Sequence, residues 1–265
     1  MTDVKPQPNP PSFELLGQRK PLGVVGGMGS LATANFLEVL ARKSRVERDQ
    51  DHIPFIALSL PDISDRSQAI SIGSDAPLRQ ILERAHWLEN VGCGAIAIPC
   101  NTAHCWASEI KQALSVRFIN MIEIARRRIN DSPGGGVDHL RSIVLGTSAV
   151  VQHALYVRPN ENGFGTDFLH YIRDLQSETI KIIAEVKSGK ITEAQASLTR
   201  VIRDARSIKP DIILLACSEL SALSEHIAGD DDIIDPIDIL ADACIEWWNN
   251  NEHSVTLYSH SYRRV

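Results

Sequence analysis

The stretch CGAIAIPCNTAH, Cys93 to His104, passes from small and apolar residues through Pro99 into a cysteine and three polar side chains. A run that is apolar on both faces and turns polar at its carboxyl end is the pattern of a strand buried in a parallel sheet. IILLACSEL, Ile212 to Leu220, has the same shape: an apolar run, a cysteine, then a hydroxyl residue. Two such stretches in one chain set the question of what the cysteines Cys100 and Cys217 do.

Working outward, further short apolar runs alternate with helical patterns. LGVVGGMGS (Leu22–Ser30) is a valine-rich run followed by a glycine turn. The next segment reads as a helix with an apolar face of Leu31, Ala34, Leu37, Leu40 and Ala41. HIPFIALSLPD (His52–Asp62) is a second buried strand, and DAPLRQILERAHWLENVG an amphipathic helix that ends at Gly92 as its C-cap. NTAHCWASEIKQAL opens another helix after the Cys93 strand, and RFINMIEIARRRIN gives a strand and then a helix. DSPGGGVDH, Asp131–His139, is the strongest loop signal. After it the pattern restarts with SIVLGTSAVV, a helix from about Thr166 to Gly189, the helix ITEAQASLTRVIRDARSIK and the strand PDIILLACSEL, and IIDPIDILADACIEWW reads as a closing helix.

Strands alternating with helices predict an α/β fold with parallel sheets. The restart predicts two similar Rossmann-like halves related by pseudo-twofold symmetry. VVGGMGS matches VLGTSAV in kind, and AIAIPCNTA matches ILLACSELS. The expected division is a flexible extension over 1–20, a first domain from 21–122 plus 225–250, a second over 123–224, and a tail over 251–265. Ligands of parallel α/β sheets bind beyond the carboxyl ends of the strands. Gly26–Ser30, Cys100–Thr102, Gly146–Ser148 and Cys217–Glu219 all lie at such ends, so the expected active site is the cleft between the halves.

The bulk numbers exclude several classes. The chain has 265 residues, 43% hydrophobic and 23% charged, with a net charge of −6. That balance argues against nucleic acid as a partner. No apolar run approaches the roughly 18 residues of a membrane span, and no basic amphipathic segment suggests a membrane surface. The proline-rich start lacks a signal peptide's apolar core, so the expected compartment is the cytoplasm. Five cysteines are an odd number, without a CxxC spacing, and are expected to be thiols.

The glycine turn carrying Met28 does not meet the dinucleotide spacing G-x-G-x-x-G. Its amides at a helix start suit a carboxylate as well as a phosphate; the competing reading is a tight turn without a ligand. A thiol at a helix start, such as Cys100, feels the positive end of the dipole. Asn101 and Thr102 beside it suit a carboxylate, while His104 is either a third polar partner or a helix-surface residue. Cys217 is followed by Ser218 and Glu219, the latter bonding within its helix start or orienting the site. Cys93, Cys105 and Cys244 lack this context and read as structural. A lone cysteine at a strand end is more often a buried filler; two at corresponding ends reverse that preference.

At these residues the chain resembles the aspartate/glutamate racemase family, whose members racemise amino acids without pyridoxal phosphate. The matching pieces are GVVGGMGSLAT, DQDHIP, PDISDRS, IPCNTAH, LGTSAV, LLACSEL and IDPIDILADA, from Gly23 to about Trp248. The aspartate branch is more similar than the glutamate branch. Ser30 stands where the family usually has proline, and Ala216-Cys217-Ser218-Glu219 where Gly-Cys-Thr-Glu is usual. The segment Tyr156–Phe168 is unlike the family's and shorter, which touches substrate specificity.

The resemblance implies racemisation of L- and D-aspartate, or of glutamate, by two thiols on opposite faces of Cα, one thiolate and one thiol, with roles that swap with substrate handedness. It implies no cofactor and no metal, a dicarboxylic amino acid as small-molecule substrate, and a homodimer. Developing charge on the α-carboxylate needs donors, for which Asn101, Thr102, Thr147, Ser148 and Ser218 are the candidates. Arg66 in PDISDRS, and then Lys187, are the candidate cations for the side-chain carboxylate. Other readings are a racemase of broader specificity, a maleate- or hydantoin-type isomerase, a non-catalytic small-ligand binding protein, or a redox pair of thiols.

Overall fold

The computed structural model describes residues 20–130, 141–156, 166–224 and 230–250. The expected extension up to residue 19, the loop Asp131–His139, residues 157–165 of the Tyr156–Phe168 segment and the tail 251–265 lie outside the described residues.

Strands β1 (Leu22–Gly26), β2 (Phe55–Ser59), β3 (Ala95–Ala97) and β4 (Arg117–Ile119) form a parallel sheet in the order β2-β1-β3-β4. Leu22 stands opposite Phe55 on one side and Ala95 on the other. Strands β5 (Ser142–Gly146), β6 (Ile212–Ala216) and β7 (Ile233–Ile234) form a second parallel sheet in the order β5-β6-β7, with Gly146 opposite Ala216. The expected α/β class with parallel sheets is what the chain adopts. In each sheet the strand that ends in the glycine turn, β1 or β5, is hydrogen-bonded directly to the strand that precedes the cysteine, β3 or β6.

The central strands explain their own composition. LGVVG of β1 and IILLA of β6 are buried at every position, because helices cover both faces of a parallel sheet. On one face of the first sheet Leu22 and Val24 pack with Phe36 and Leu40 of helix α1 (Ser30–Lys43) and with the last helix. On the other, Val25 and Ile96 pack with Ile81, Ala85 and Leu88, after α2 (Arg66–Ser71), on α3 (Ala76–Asn90). A short 3-10 turn, Thr102–Trp106, leads into α4 (Ala107–Ala113), and α5 (Met121–Asn130) follows β4. Helices α6 (Ser148–Gln152), α7 (Thr166–Lys187), α8 (Ile191–Ser207) and α9 (Ser218–Ser221) belong to the second sheet's part of the chain. Helix α8 buries Ala194, Leu198, Val201, Ile202 and Ala205, a stripe at helical spacing. The chain closes with α10 (Pro236–Asn250), which lies against α1 and α5.

Four local readings change. Helix α1 presents Ala32, Thr33, Phe36 and Leu40 to the core, whereas Leu31, Ala34 and Ala41 are exposed. Thr33 sets that rotation: its Oγ1 accepts from Gly27 N at 3.0 Å and donates to Gly29 O at 2.9 Å. Helix α2 is too short for periodicity to show, and it is announced only by Asp65, whose side chain accepts from Gln68 N at 2.8 Å. The residues after Asn101 take up a 3-10 turn before the α-helix begins. Ile233 and Ile234 are a strand rather than the start of the closing helix. Pro236 begins that helix and Asp235 accepts from Ile237 N at 2.9 Å, so the apolar run is cut where a proline at the first turn and a capping carboxylate demand it.

Gly27 is the backbone position the first turn cannot replace. Its φ is +84°, and a Cβ there would lie 2.3 Å from Leu60 O. Gly27→Ala is expected to cost about 2–3 kcal/mol, read as a lower midpoint in urea unfolding. Unchanged stability would show that the turn relaxes without the close approach to Leu60.

Candidate active site

Cys217 lies one residue and Cys100 three residues beyond the carboxyl end of its strand, where a parallel sheet leaves space for a ligand. Cys100 is 5% exposed and Cys217 4%, and both line one cleft of about 290 Å³, open space at its mouth included. Met28, Arg66, Asn101, Thr102, Thr147, Lys187, Ser218 and Glu219 complete the cleft from among the sequence candidates. Ser148 is half-buried and is not part of the lining. Asp65 and Ser67 line it as well. Their motif PDISDRS stands out by Arg66, and nothing local marks these two beside it.

Side-chain bonds join the two sheets' carboxyl ends. Asn101 Nδ2 donates to Ser218 Oγ at 3.3 Å, and the hydroxyls of Thr102 and Thr147 are 2.9 Å apart. Thr147 also caps α6, accepting from Val150 N at 3.3 Å. Tyr156, which no motif pointed to, donates its hydroxyl hydrogen to Asn101 Oδ1. The glycine turn spends the Gly27 N–H on Thr33, as the tight-turn reading expects at that position.

The two thiols sit in unlike surroundings. Burial pushes the Cys100 thiol up, the Arg66 guanidinium pulls it down, and Glu219 pushes it up again. Burial also pushes Cys217 up, well above the ordinary thiol, and Glu219 adds to this twice. The Glu219 charge repels a thiolate, and Cys217 Sγ donates to Glu219 Oε2 at 3.0 Å, a bond that only the thiol makes. Arg66 is buried and donates Nη1 to Ile63 O and Ser64 O, each at 3.2 Å. Two buried polar atoms of the cleft have no hydrogen-bond partner among the described residues: Arg66 Nε and Glu219 Oε1. Lys187 Nζ lies 3.7 Å from Asp65 Oδ2.

His104 is neither a cleft residue nor a surface one. It is buried under the Cys100 turn, with Nδ1 2.9 Å from Cys100 O and Nε2 accepting from Met121 N at 3.2 Å. Those partners fix the neutral Nδ1–H tautomer. Its ring stacks on Phe118 with centroids 5.5 Å apart. Cys93, Cys105 and Cys244 do not line the cleft; Cys93 and Cys244 are in the apolar core and Cys105 is partly buried. Among the described residues no cluster of three or more His, Cys, Asp or Glu side chains could hold a metal, and no helix is long and apolar enough to cross a membrane.

With this geometry in place, comparison with known proteins adds the family. The model for Asp/Glu/hydantoin racemases matches residues 25–244. The chain belongs to that family. It is 29% identical over 231 residues to the broad specificity amino-acid racemase RacX of Bacillus subtilis (strain 168), a match covering 84% of this chain and 96% of that protein. The solved aspartate racemase of Picrophilus torridus is similar with a TM-score of 0.72 and 27% identity, covering 87% of this chain and 95% of that one. The glutamate racemase of Thermus thermophilus shares the fold at a TM-score of 0.54 and 17% identity, over 92% of this chain and 85% of that one. The family match covers all the motifs quoted for the resemblance except Gly23 and Val24 at the start of the first.

Two titratable groups behind the cleft, the buried His104 and the half-buried Asp235, make a pH test of this packing. Burial pushes His104 down to about 4 from an ordinary 6.5. Its folded state binds the proton less well than the unfolded chain, so stability held above pH 6.5 is lost as pH falls toward 4, by about 3 kcal/mol. Asp235 is pushed by burial from 3.8 up to about 6. Its contribution is present below pH 3.8 and is lost as pH rises through 6, again about 3 kcal/mol. The two slopes oppose each other between pH 4 and 6. In unfolding titrations His104→Gln is therefore expected to gain stability on acidification relative to the wild type, and Asp235→Asn to lose it. Variants that both track the wild type would show that these groups are not buried as described.

Proposed function

We propose that the chain is a cofactor-independent amino-acid racemase that moves the substrate's α-proton between Cys100 and Cys217, with aspartate as the first-choice substrate. The single observation that carries this reading is the content of the cleft: two thiols in unlike environments, together with one buried cation and one buried anion that each leave a polar atom unpartnered. An amino acid is a zwitterion, and it satisfies Arg66 Nε with a carboxylate and Glu219 Oε1 with the α-ammonium. Maleate has no ammonium to offer, which sets the maleate-type alternative below this one.

In the proposed reaction Cys100, lowered by Arg66, is the thiolate of the resting pair and Cys217, held as a donor to Glu219, is the thiol. The thiolate takes the α-proton, and the electron pair of the broken C–H bond moves into the α-carboxylate as an enediolate. Cys217 then delivers its proton to the opposite face of Cα, leaving its own sulfur as thiolate. The other enantiomer runs the sequence backward. Asn101, Thr102, Thr147 and Ser218 supply donors for the charge that develops on the carboxylate, and Arg66 and Lys187 meet the side-chain carboxylate. The cleft, in this reading, lies between two pseudo-twofold halves, 21–122 with 225–250 and 123–224, except that β7 within 225–250 joins the second sheet.

A second reading, broader specificity, has its own support. The similar protein RacX is named a broad specificity racemase. Next to the cleft is an open hollow of about 1260 Å³ that shares Arg66 and Lys187 and is walled by Leu31, Pro61, Ile63, Val186 and Ile191. Apolar side chains have room there.

Incubation in D₂O with L-aspartate, L-glutamate and a neutral amino acid, followed by proton NMR and chiral chromatography, tests both. The expected result is loss of the α-proton signal with formation of the D-isomer, and racemisation about 10²-fold lower or less in both Cys100→Ser and Cys217→Ser. No exchange with any amino acid would sink the proposal, and equal rates with a neutral substrate would favour the broader reading. The pH profile of kcat/KM gives a separate check, since the thiols titrate as a coupled pair. Arg66→Gln removes the group that lowers Cys100, so the ascending limb moves to higher pH. Glu219→Gln removes the charge that raises both thiols, so both limbs move to lower pH, the descending one further.

A further inference from the structure

We infer that Tyr156 positions the substrate carboxylate by fixing which end of the Asn101 side-chain amide faces the cleft; this rests on the racemase reading above. Tyr156 is 1% exposed and packs among Ile122, Val150 and Ile212. It stands outside every motif that marks the site, yet its hydroxyl donates to Asn101 Oδ1. Asn101 Nδ2 in turn gives one hydrogen to Ser218 Oγ at 3.3 Å. Among the described residues nothing accepts the second Nδ2 hydrogen, and Asn101 lines the cleft.

An amide has a donor end and an acceptor end of almost the same shape. Turned one way, Asn101 offers an N–H to an anion in the cleft; turned the other way, it offers a lone pair and repels one. Ser218 does not choose between them, because a hydroxyl serves as donor or acceptor. Tyr156 does. Its hydroxyl hydrogen has one acceptor among the described residues, Asn101 Oδ1. A reversed amide would point Nδ2 at the phenol oxygen and leave the phenol hydrogen buried without a partner, which costs more than either bond gains. Burial, reinforced by Asp235, Cys217 and Cys100, pushes the phenol's titration well above its usual range, so the hydroxyl keeps the hydrogen it donates throughout the working pH range.

Tyr156→Phe keeps the ring in its apolar cluster and removes only the selector. Isothermal titration with L-aspartate, L-alanine and L-arginine finds the tightest of the three for the wild type, and that amino acid is then titrated into Tyr156→Phe, Asn101→Ala and the double variant. The expected outcome is affinity about tenfold weaker in Tyr156→Phe with a thermal midpoint within a few degrees of the wild type, and a double variant no weaker than Asn101→Ala alone. Wild-type affinity in Tyr156→Phe, or losses that add in the double variant, would overturn the inference. In the wild type itself, NMR of the Asn101 side-chain amide, assigned by its absence in Asn101→Ala, is expected to show contacts from the amide hydrogens to the Ser218 β-protons and not to the Tyr156 ring; the reverse pattern also overturns it, whether or not the variants fold. Parallel α-proton exchange in D₂O separates the two claims. Binding without exchange removes the racemase reading while the mutant cycle still decides the role of Tyr156, and a wild type that binds none of the three amino acids removes both.

Discussion

Two side-chain bonds, Asn101 to Ser218 and Thr102 to Thr147, tie the carboxyl end of one parallel sheet to that of the other. Parallel strands end in loops and helix starts that face away from their own sheet, so each sheet alone would present its cysteine to solvent. Joined, the two ends shield each other, and thiols that are 5% and 4% exposed share one small cleft. That burial is the source of the site's electrostatics: desolvation is the largest influence on both thiols. Everything else in the cleft modifies it.

The modification is asymmetric, as the proposed acid–base pair of thiols would need. Desolvation alone would keep both thiols protonated. Arg66 favours charge at Cys100, while Glu219 accepts the proton-bearing side of Cys217. Neither group is fully satisfied by the protein, since Arg66 Nε and Glu219 Oε1 are buried without partners. A pair of opposite, partly unpaired charges in a closed site is costly when empty. In the reading proposed above, a zwitterion lowers that cost as it binds, so affinity and the tuning of the thiols draw on the same two side chains.

The legible part of this arrangement was the part that depends on local pattern. Buried strands such as LGVVG and IILLA carry their environment in their composition, and cysteines at strand ends mark the cleft. Residues whose role depends on a distant partner left no such trace. Asp65 reads as one more carboxylate until Lys187 lies 3.7 Å from it. His104 looks like a helix residue until Met121 N–H and Cys100 O take both ring nitrogens. Tyr156 sits at the edge of a polar segment and is apolar filler by every local rule, yet its hydroxyl reaches Asn101. The α1 face was misjudged for a related reason: the Thr33 hydroxyl, bound to Gly27 N and Gly29 O, rotates the helix against its leucine pattern.

The same distinction divides the cleft into a stiff half and an adaptable half. Around the cysteines, hydrogen bonds run from buried side chain to buried side chain or to buried backbone, through His104, Asn101, Ser218 and Tyr156. A substitution there leaves a donor or acceptor stranded, and the penalty falls on stability and chemistry together. At the mouth the pattern changes. Lys187 closes α7 and Asp65 caps α2, both near two-fifths exposed and separated by 3.7 Å, with an apolar hollow beside them. An exposed pair of that length contributes little to folding, so its replacement strands nothing. In the racemase reading proposed above, proton transfer sits in the rigid floor, while the choice of side chain falls to the rim, whose Lys187–Asp65 pair can change without stranding a buried group.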